Sequence, residues 1–239
     1  MSKNFELLTQ IEKDFRSEPP DADRRPGPAP IPVPSKAFLD TSDGDHELAR
    51  LVQKVFFPTT GVAHRKVVFC GIDASNGSSS VCARTAWRLA ALTSERICLL
   101  DANPSAGGLG SLLAIPESPD GEPVACEQFL TGTGNLWLAK YAQNGNGGRL
   151  GGELHDRVAE LQRVFRYVLI DAPGCALNDD AIVLGQLSDA TILVIEADAT
   201  RRLAARKAKQ DFEGAGVCLA GTVLHNRTYP VPKALYERL

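Results

Sequence analysis

From Lys66 onward, short apolar runs alternate with stretches in which apolar residues recur every three or four positions. The runs at 66–70, 96–101, 135–140, 166–171, 190–196 and 217–224 are predicted strands, and the stretches at 80–93, 149–164, 178–187 and 199–214 are predicted helices. Val168-Leu169-Ile170 and Ile192-Leu193-Val194-Ile195 lack polar alternation. Strands of that kind are buried on both faces of a parallel sheet between helical layers. The predicted fold is α/β, a doubly wound and mostly parallel sheet. A further helix is predicted from Asp45 to Phe57, with Leu48, Leu51, Val52 and Val55 on one face.

The chain before that helix reads differently. Residues 1–15 place Phe5, Leu8, Ile11 and Phe15 near helical spacing among charged residues, which predicts a short amphipathic helix. Such a helix docks on its own domain or anchors a partner protein. Residues 16–44 hold seven prolines between Pro19 and Pro34 and too few apolar residues to pack, so they are predicted to be an extended linker. The predicted organisation is a helix at 1–15, a linker at 16–44, a folded domain at 45–228 and a tail at 229–239. Within the domain, Gln143 to Gly148 is predicted to be a surface loop.

A net charge of −3 argues against a general nucleic-acid binder. No apolar run approaches the length of a membrane span, and the first residues lack the layout of a signal peptide. The six cysteines form no C-x-x-C pair, so the expectation is reduced thiols in a cytoplasmic protein without a zinc site. The histidines His46, His64, His155 and His225 have no metal-ligand spacing.

Chemistry concentrates where predicted strands end. Lys66-Val67-Val68-Phe69-Cys70 runs into Gly71, a small polar loop and a helix, the layout in which backbone N–H groups hold phosphates. The candidate phosphate-binding residues are Gly71, Ser75, Asn76, Gly77, Ser78, Ser79 and Ser80. Asp101 ends the second strand and Asp171 the fourth, at the strand ends where α/β sheets bind ligands. Ser79 is either a magnesium-binding hydroxyl or a helix N-cap.

Arg166 to Pro173 followed by Asn178-Asp179-Asp180-Ala181 resembles the Walker B region of the bacterial tyrosine kinases, relatives of the MinD/ParA ATPases. Ile97 to Asn103, Ala199-Thr200-Arg201-Arg202 and Gly221 to Arg227 resemble other segments of that family, over about residues 45–228. The resemblance implies a P-loop NTPase-like domain using ATP or ADP with Mg²⁺. It implies catalytic roles for Asp101 and Asp171, with Ser79, Asp101 and Asp171 about the metal. It also implies phosphate acceptors at Tyr229 and Tyr236, and oligomer contacts through Glu47 and Arg50. The implied partner is a membrane-bound polysaccharide co-polymerase or export protein, which would hold the chain at the inner face of the membrane.

The departures carry equal weight. Ser78 stands where the family has lysine, Gly71 lies one residue too far from Gly77, and Asp73 stands where MinD-type loops have a second lysine. Asn103 replaces an aspartate, Gln53 replaces the second arginine after Glu47 and Arg50, and the tyrosine cluster is reduced to two. A unit charge about 4 Å from a phosphate oxygen is worth roughly 4 kcal/mol at an effective dielectric near 20. Its loss removes up to about three decades of rate or affinity. The expectation is a regulatory, catalytically impaired tyrosine-kinase-like homologue in exopolysaccharide or capsule synthesis. The alternatives are an active tyrosine autokinase with a non-standard loop, or a MinD/ParA-type positioning ATPase.

Overall fold

The computed structural model describes residues 45–73, 76–103, 109–113, 127–128, 134–141, 152–177 and 179–227. The predicted helix at 1–15, the linker at 16–44, the loop at 143–148, Ser75, and the tail with Tyr229 and Tyr236 lie outside these residues.

The elements run α1 (Asp45–Phe56), β1 (Lys66–Gly71), α2 (Ser78–Leu92), β2 (Ile97–Asp101), α3 (Leu109–Leu112), β3 (Glu127–Gln128), β4 (Leu136–Lys140), α4 (Gly152–Val164), β5 (Tyr167–Ala172), α5 (Asp180–Gln186), β6 (Ala190–Glu196), α6 (Arg202–Gly214) and β7 (Leu219–His225). Seven strands form one sheet in the order β3-β4-β2-β5-β1-β6-β7. All neighbours are parallel except the two-residue edge strand β3, which pairs antiparallel with β4. The six predicted strands are all present. β3 and α3 escaped prediction because two polar residues and a single helical turn leave no periodic signal.

Alternation along the buried strands divides the core into two layers. Val67 and Phe69 of β1, with Leu99 and Leu169, face α1 and α2. Val68 and Cys70, with Leu100 and Ile170, face Leu154 and Leu161 of α4 and Phe212 of α6. Both faces of β1 and β5 are thus dry, which is why their sequences are continuous apolar runs. The α1 helix is fastened partly by Phe56, whose ring meets Tyr167 edge-on with centroids 5.6 Å apart. Parallel order brings the carboxyl ends of β1, β2, β5 and β6 to one edge of the sheet.

Candidate functional site

The loop after β1 is closed by its own side chains. Asn76 Oδ1 accepts a hydrogen bond from the Asp73 N–H. Asn76 Nδ2 donates to Thr200 Oγ1 at 3.2 Å, and that oxygen also accepts from the Glu196 N–H at 3.1 Å. One asparagine therefore ties the loop to the carboxyl end of β6. The loop after β5 packs against it from the other side, with Cys175 N–H donating to Gly71 O at 3.0 Å and Ala176 N–H to Ile72 O at 2.9 Å. The approach requires Gly174, because a Cβ there would lie 2.8 Å from the Asp73 carbonyl carbon and 2.9 Å from Ile72 O.

Gly77, at φ +75°, is the N-cap of α2, and its carbonyl accepts from the Val81 N–H at 3.0 Å. This decides one open question: Ser79 is the second helical residue and does not cap the helix. Its buried hydroxyl turns instead toward Asp171. The first N–H groups of a helix have no intrahelical acceptor and carry partial positive charge. Gly77, Ser78, Ser79 and Ser80 therefore open α2 next to the Gly71 turn, so the helix starts at Ser78, before the predicted 80.

Asp101 and Asp171 are direct register partners on β2 and β5. Asp101 Oδ1 accepts from the Asn103 N–H at 3.2 Å, and the Asp171 carbonyl accepts from the Ala102 N–H at 3.0 Å. The Asp171 side chain is 0% exposed, and neither carboxylate oxygen has a hydrogen-bond partner. Burial, aided by the charge of Asp101, pushes its pKa up to about 8; the Ser79 and Asn103 side chains pull the other way from outside good hydrogen-bond geometry. A bare buried carboxylate is costly unless something compensates it. A hard divalent cation bound by one or two carboxylates and otherwise by water or phosphate oxygens fits this donor set. Among the described residues, no group of three or more His, Cys, Asp or Glu gathers to hold a metal by itself.

The charge balance of the loop is unusual. Ser78 is buried and neutral, and Asp73 is exposed. The basic side chains that approach come from elsewhere in the fold. His225, at the end of β7, lays its ring against Gly77, so that a Cβ at position 77 would fall 2.2 Å from His225 Cδ2. Burial holds the His225 pKa below its ordinary value, Glu196 opposes this, and Arg84 of α2 adds to it. Asn226 Nδ2 donates to Glu196 Oε1 at 3.1 Å and steadies that carboxylate. His225 was passed over in the sequence because only metal-ligand spacing was weighed. The usable signal was its position at the carboxyl end of a predicted parallel strand.

Glu47 and Arg50 are elsewhere, on the exposed face of α1, 3.9 Å apart across one turn. Arg201 and Arg202 are exposed at the start of α6.

No family model matches the chain. Over 79 residues it is 32% identical to tyrosine-protein kinase CpsD of Streptococcus pneumoniae serotype 4, covering 33% of this chain and 35% of that protein. Over 68 residues it is 31% identical to CpsD of Streptococcus agalactiae serotype III, covering 28% of this chain and 29% of that protein. The matched segment thus spans about a third of the length of these relatives. Among solved structures, the kinase domain of Escherichia coli tyrosine kinase ETK superposes with a TM-score of 0.61 at 15% identity, covering 97% of this chain and 98% of that one. The kinase domain of VpsO gives 0.62 at 17% identity, covering 79% and 100%. The septum site-determining protein MinD of Pyrococcus horikoshii, complexed with Mg-ADP, gives 0.55 at 16% identity, covering 72% and 76%. The structural likenesses establish a P-loop NTPase-like α/β fold. The sequence matches add a local similarity to the CpsD tyrosine-protein kinases over about a third of the chain.

Proposed function

We propose that this chain is a regulatory tyrosine-kinase-like homologue with impaired phosphoryl transfer, acting in exopolysaccharide or capsular polysaccharide synthesis or export. The observation that carries the reading is an asymmetry within one site. The half that would bind a cation has its carboxylates in place, with Asp171 bare and buried in register with Asp101. The phosphate-neutralising half lacks its lysine, with Ser78 buried in that place.

The amides of Gly77, Ser78, Ser79 and Ser80, with the loop held by Asn76, are the groups that would receive the phosphates of ATP or ADP. Ser79, Asp101 and Asp171 would hold Mg²⁺. When bound, that ion would offset the negative charge of the phosphates. Asn76 ties the loop to the Asp73 N–H and to Thr200, so its own polar atoms are already engaged and the start of α2 is held in place. What is missing is a fixed positive charge to stabilise the transferring phosphoryl group, and electrostatic stabilisation is usually the largest catalytic contribution. The chain would therefore act by docking, with nucleotide as a conformational cofactor. Kinship with CpsD supports a membrane-bound polysaccharide co-polymerase as the partner. No described helix is long and apolar enough to cross a membrane, and the reading places the chain at the inner face through that partner. Glu47 and Arg50 are the proposed oligomer contacts.

One observation favours a second reading, an active autokinase. Arg84 of α2 lies near enough to His225, whose ring covers Gly77, to depress that ring's pKa, and so places a positive charge near the loop. Incubation with γ-labelled Mg-ATP separates the two. The first reading expects no label on Tyr229 or Tyr236. Label on either tyrosine that disappears in Asp171→Asn establishes the second reading and overturns the first.

A further inference from the structure

Two thiols meet at the root of the site. Cys70, next to last in β1, is fully buried, and its Sγ–H is directed at Gly71 O, 3.0 Å away, and Pro173 O, 3.3 Å away. Cys175 lies in the loop after β5, partly exposed, and its own N–H donates to Gly71 O at 3.0 Å. That backbone bond and the close seat of Gly174 hold the two loops together, and the Cys70 sulfur and the Cys175 N–H meet on one acceptor, Gly71 O.

The asymmetry of the pair has chemical consequences. The hydrogen bond from Cys70 holds the Cys175 thiol below its ordinary value, in spite of burial. The same contact, together with burial, pushes Cys70 up. The partly exposed outer sulfur is thus biased towards the thiolate and the buried inner one towards the thiol. Reactive thiols are those with thiolate character and access to solvent. Among the described residues, Cys82 and Cys98 are buried, and Cys218 is exposed on β7's approach.

We infer that Cys175 is a site of oxidative modification resolved by Cys70, with a two-electron oxidant of the peroxide class converting the pair to a disulfide. In the first step the Cys175 thiolate attacks one peroxide oxygen. An S–O bond forms, the O–O bond breaks, and the departing hydroxide takes a proton to become water. Sulfur is oxidised by two electrons to the sulfenic acid and peroxide is reduced. In the second step the Cys70 sulfur attacks the Cys175 sulfur. The S–S bond forms, the S–O bond breaks, and hydroxide leaves with the Cys70 proton as a second water. The bridge ties the end of β1 to the loop after β5, the two segments that flank the phosphate turn. The assignment concerns the thiols and stands whether or not nucleotide binds.

The test treats the full chain with hydrogen peroxide, blocks remaining thiols by alkylation, and maps the peptides by mass spectrometry. The expected product is a Cys70–Cys175 linked peptide, two hydrogen atoms lighter than its parts and restored by a dithiol reductant. Cys175 is consumed several-fold faster than Cys218. In Cys70→Ser the bridge is lost and a dimedone-type nucleophile traps the sulfenic acid at Cys175; in Cys175→Ser both products vanish. Cys175 remaining reduced while Cys218 oxidises, or a bridge joining other cysteines, overturns the inference on the native chain alone.

Discussion

Asp101 and Asp171 stand opposite each other in register at the carboxyl ends of two hydrogen-bonded parallel strands, and only Asp171 is wholly removed from water. Beside Asp101 and without a hydrogen-bond partner, the ionised form of Asp171 is costly to the fold. The native Asp171 pKa of about 8 lies above the ordinary 3.8 that it regains on unfolding. Between these values the native state holds a proton that the unfolded state has released, so stability falls as pH rises.

Asp171→Asn is therefore expected to unfold at higher denaturant than the native chain when chelator is present. Its advantage should widen as the pH rises from about 4 towards about 8, and level off above that. Urea titrations at a series of pH values measure this. An advantage that shrinks with rising pH, or a less stable variant throughout, contradicts the buried carboxylate as described.

Divalent cation should reverse that order. Mg²⁺ in millimolar excess is expected to raise the melting temperature of the native chain and leave Asp171→Asn unmoved, since a ligand that binds only the folded state stabilises by mass action. Equal shifts in both proteins would place the cation elsewhere.

Two glycines of the site predict different responses to the same substitution. Gly77→Ala costs about 1–2 kcal/mol for a left-handed residue bearing a Cβ, plus whatever is needed to displace the His225 ring. Adding His225→Ala should recover the second part and leave the first. Gly174→Ala meets main-chain atoms of Ile72 and Asp73, which have no free rotamer to swing away. It is expected to destabilise by about 2 kcal/mol or more, with no side-chain variant restoring it. Double-mutant cycles by chemical denaturation decide both.

The pair on α1 bounds the opposite extreme. Glu47 and Arg50 are largely solvated at 3.9 Å, so Arg50→Ala is expected to change stability by less than about 0.5 kcal/mol. Sedimentation of native chain and variant then reads the proposed oligomer contact without interference from folding. A smaller assembly for Arg50→Ala supports the contact, and unchanged size removes it.

The sheet was legible because strands dry on both faces have no choice of composition. Val67 to Cys70 and Val168 to Ile170 could be read as buried parallel strands before any neighbour was known. Asp101, Asp171 and Ser78 were legible too, since a strand end and a loop position are local facts. The contacts that shape the site were not. Asn76 reaches Thr200, 124 residues away, and His225 covers Gly77 from the last strand. Cys70 and Cys175 meet because β1 and β5 are neighbours, which spacing along the chain conceals. Whether Ser79 caps the helix stayed open in the sequence because the left-handed turn at Gly77 cannot be told from an ordinary glycine in a small polar loop.

The central claim is a preformed phosphate and cation site that lacks its own positive charge. Calorimetric titration of Mg-ATP into the native chain and into Ser78→Lys tests it most directly. Weak binding by the native chain and a gain of up to about three decades in Ser78→Lys is the predicted result. Equal affinities in the two proteins, or no binding by either, would contradict it.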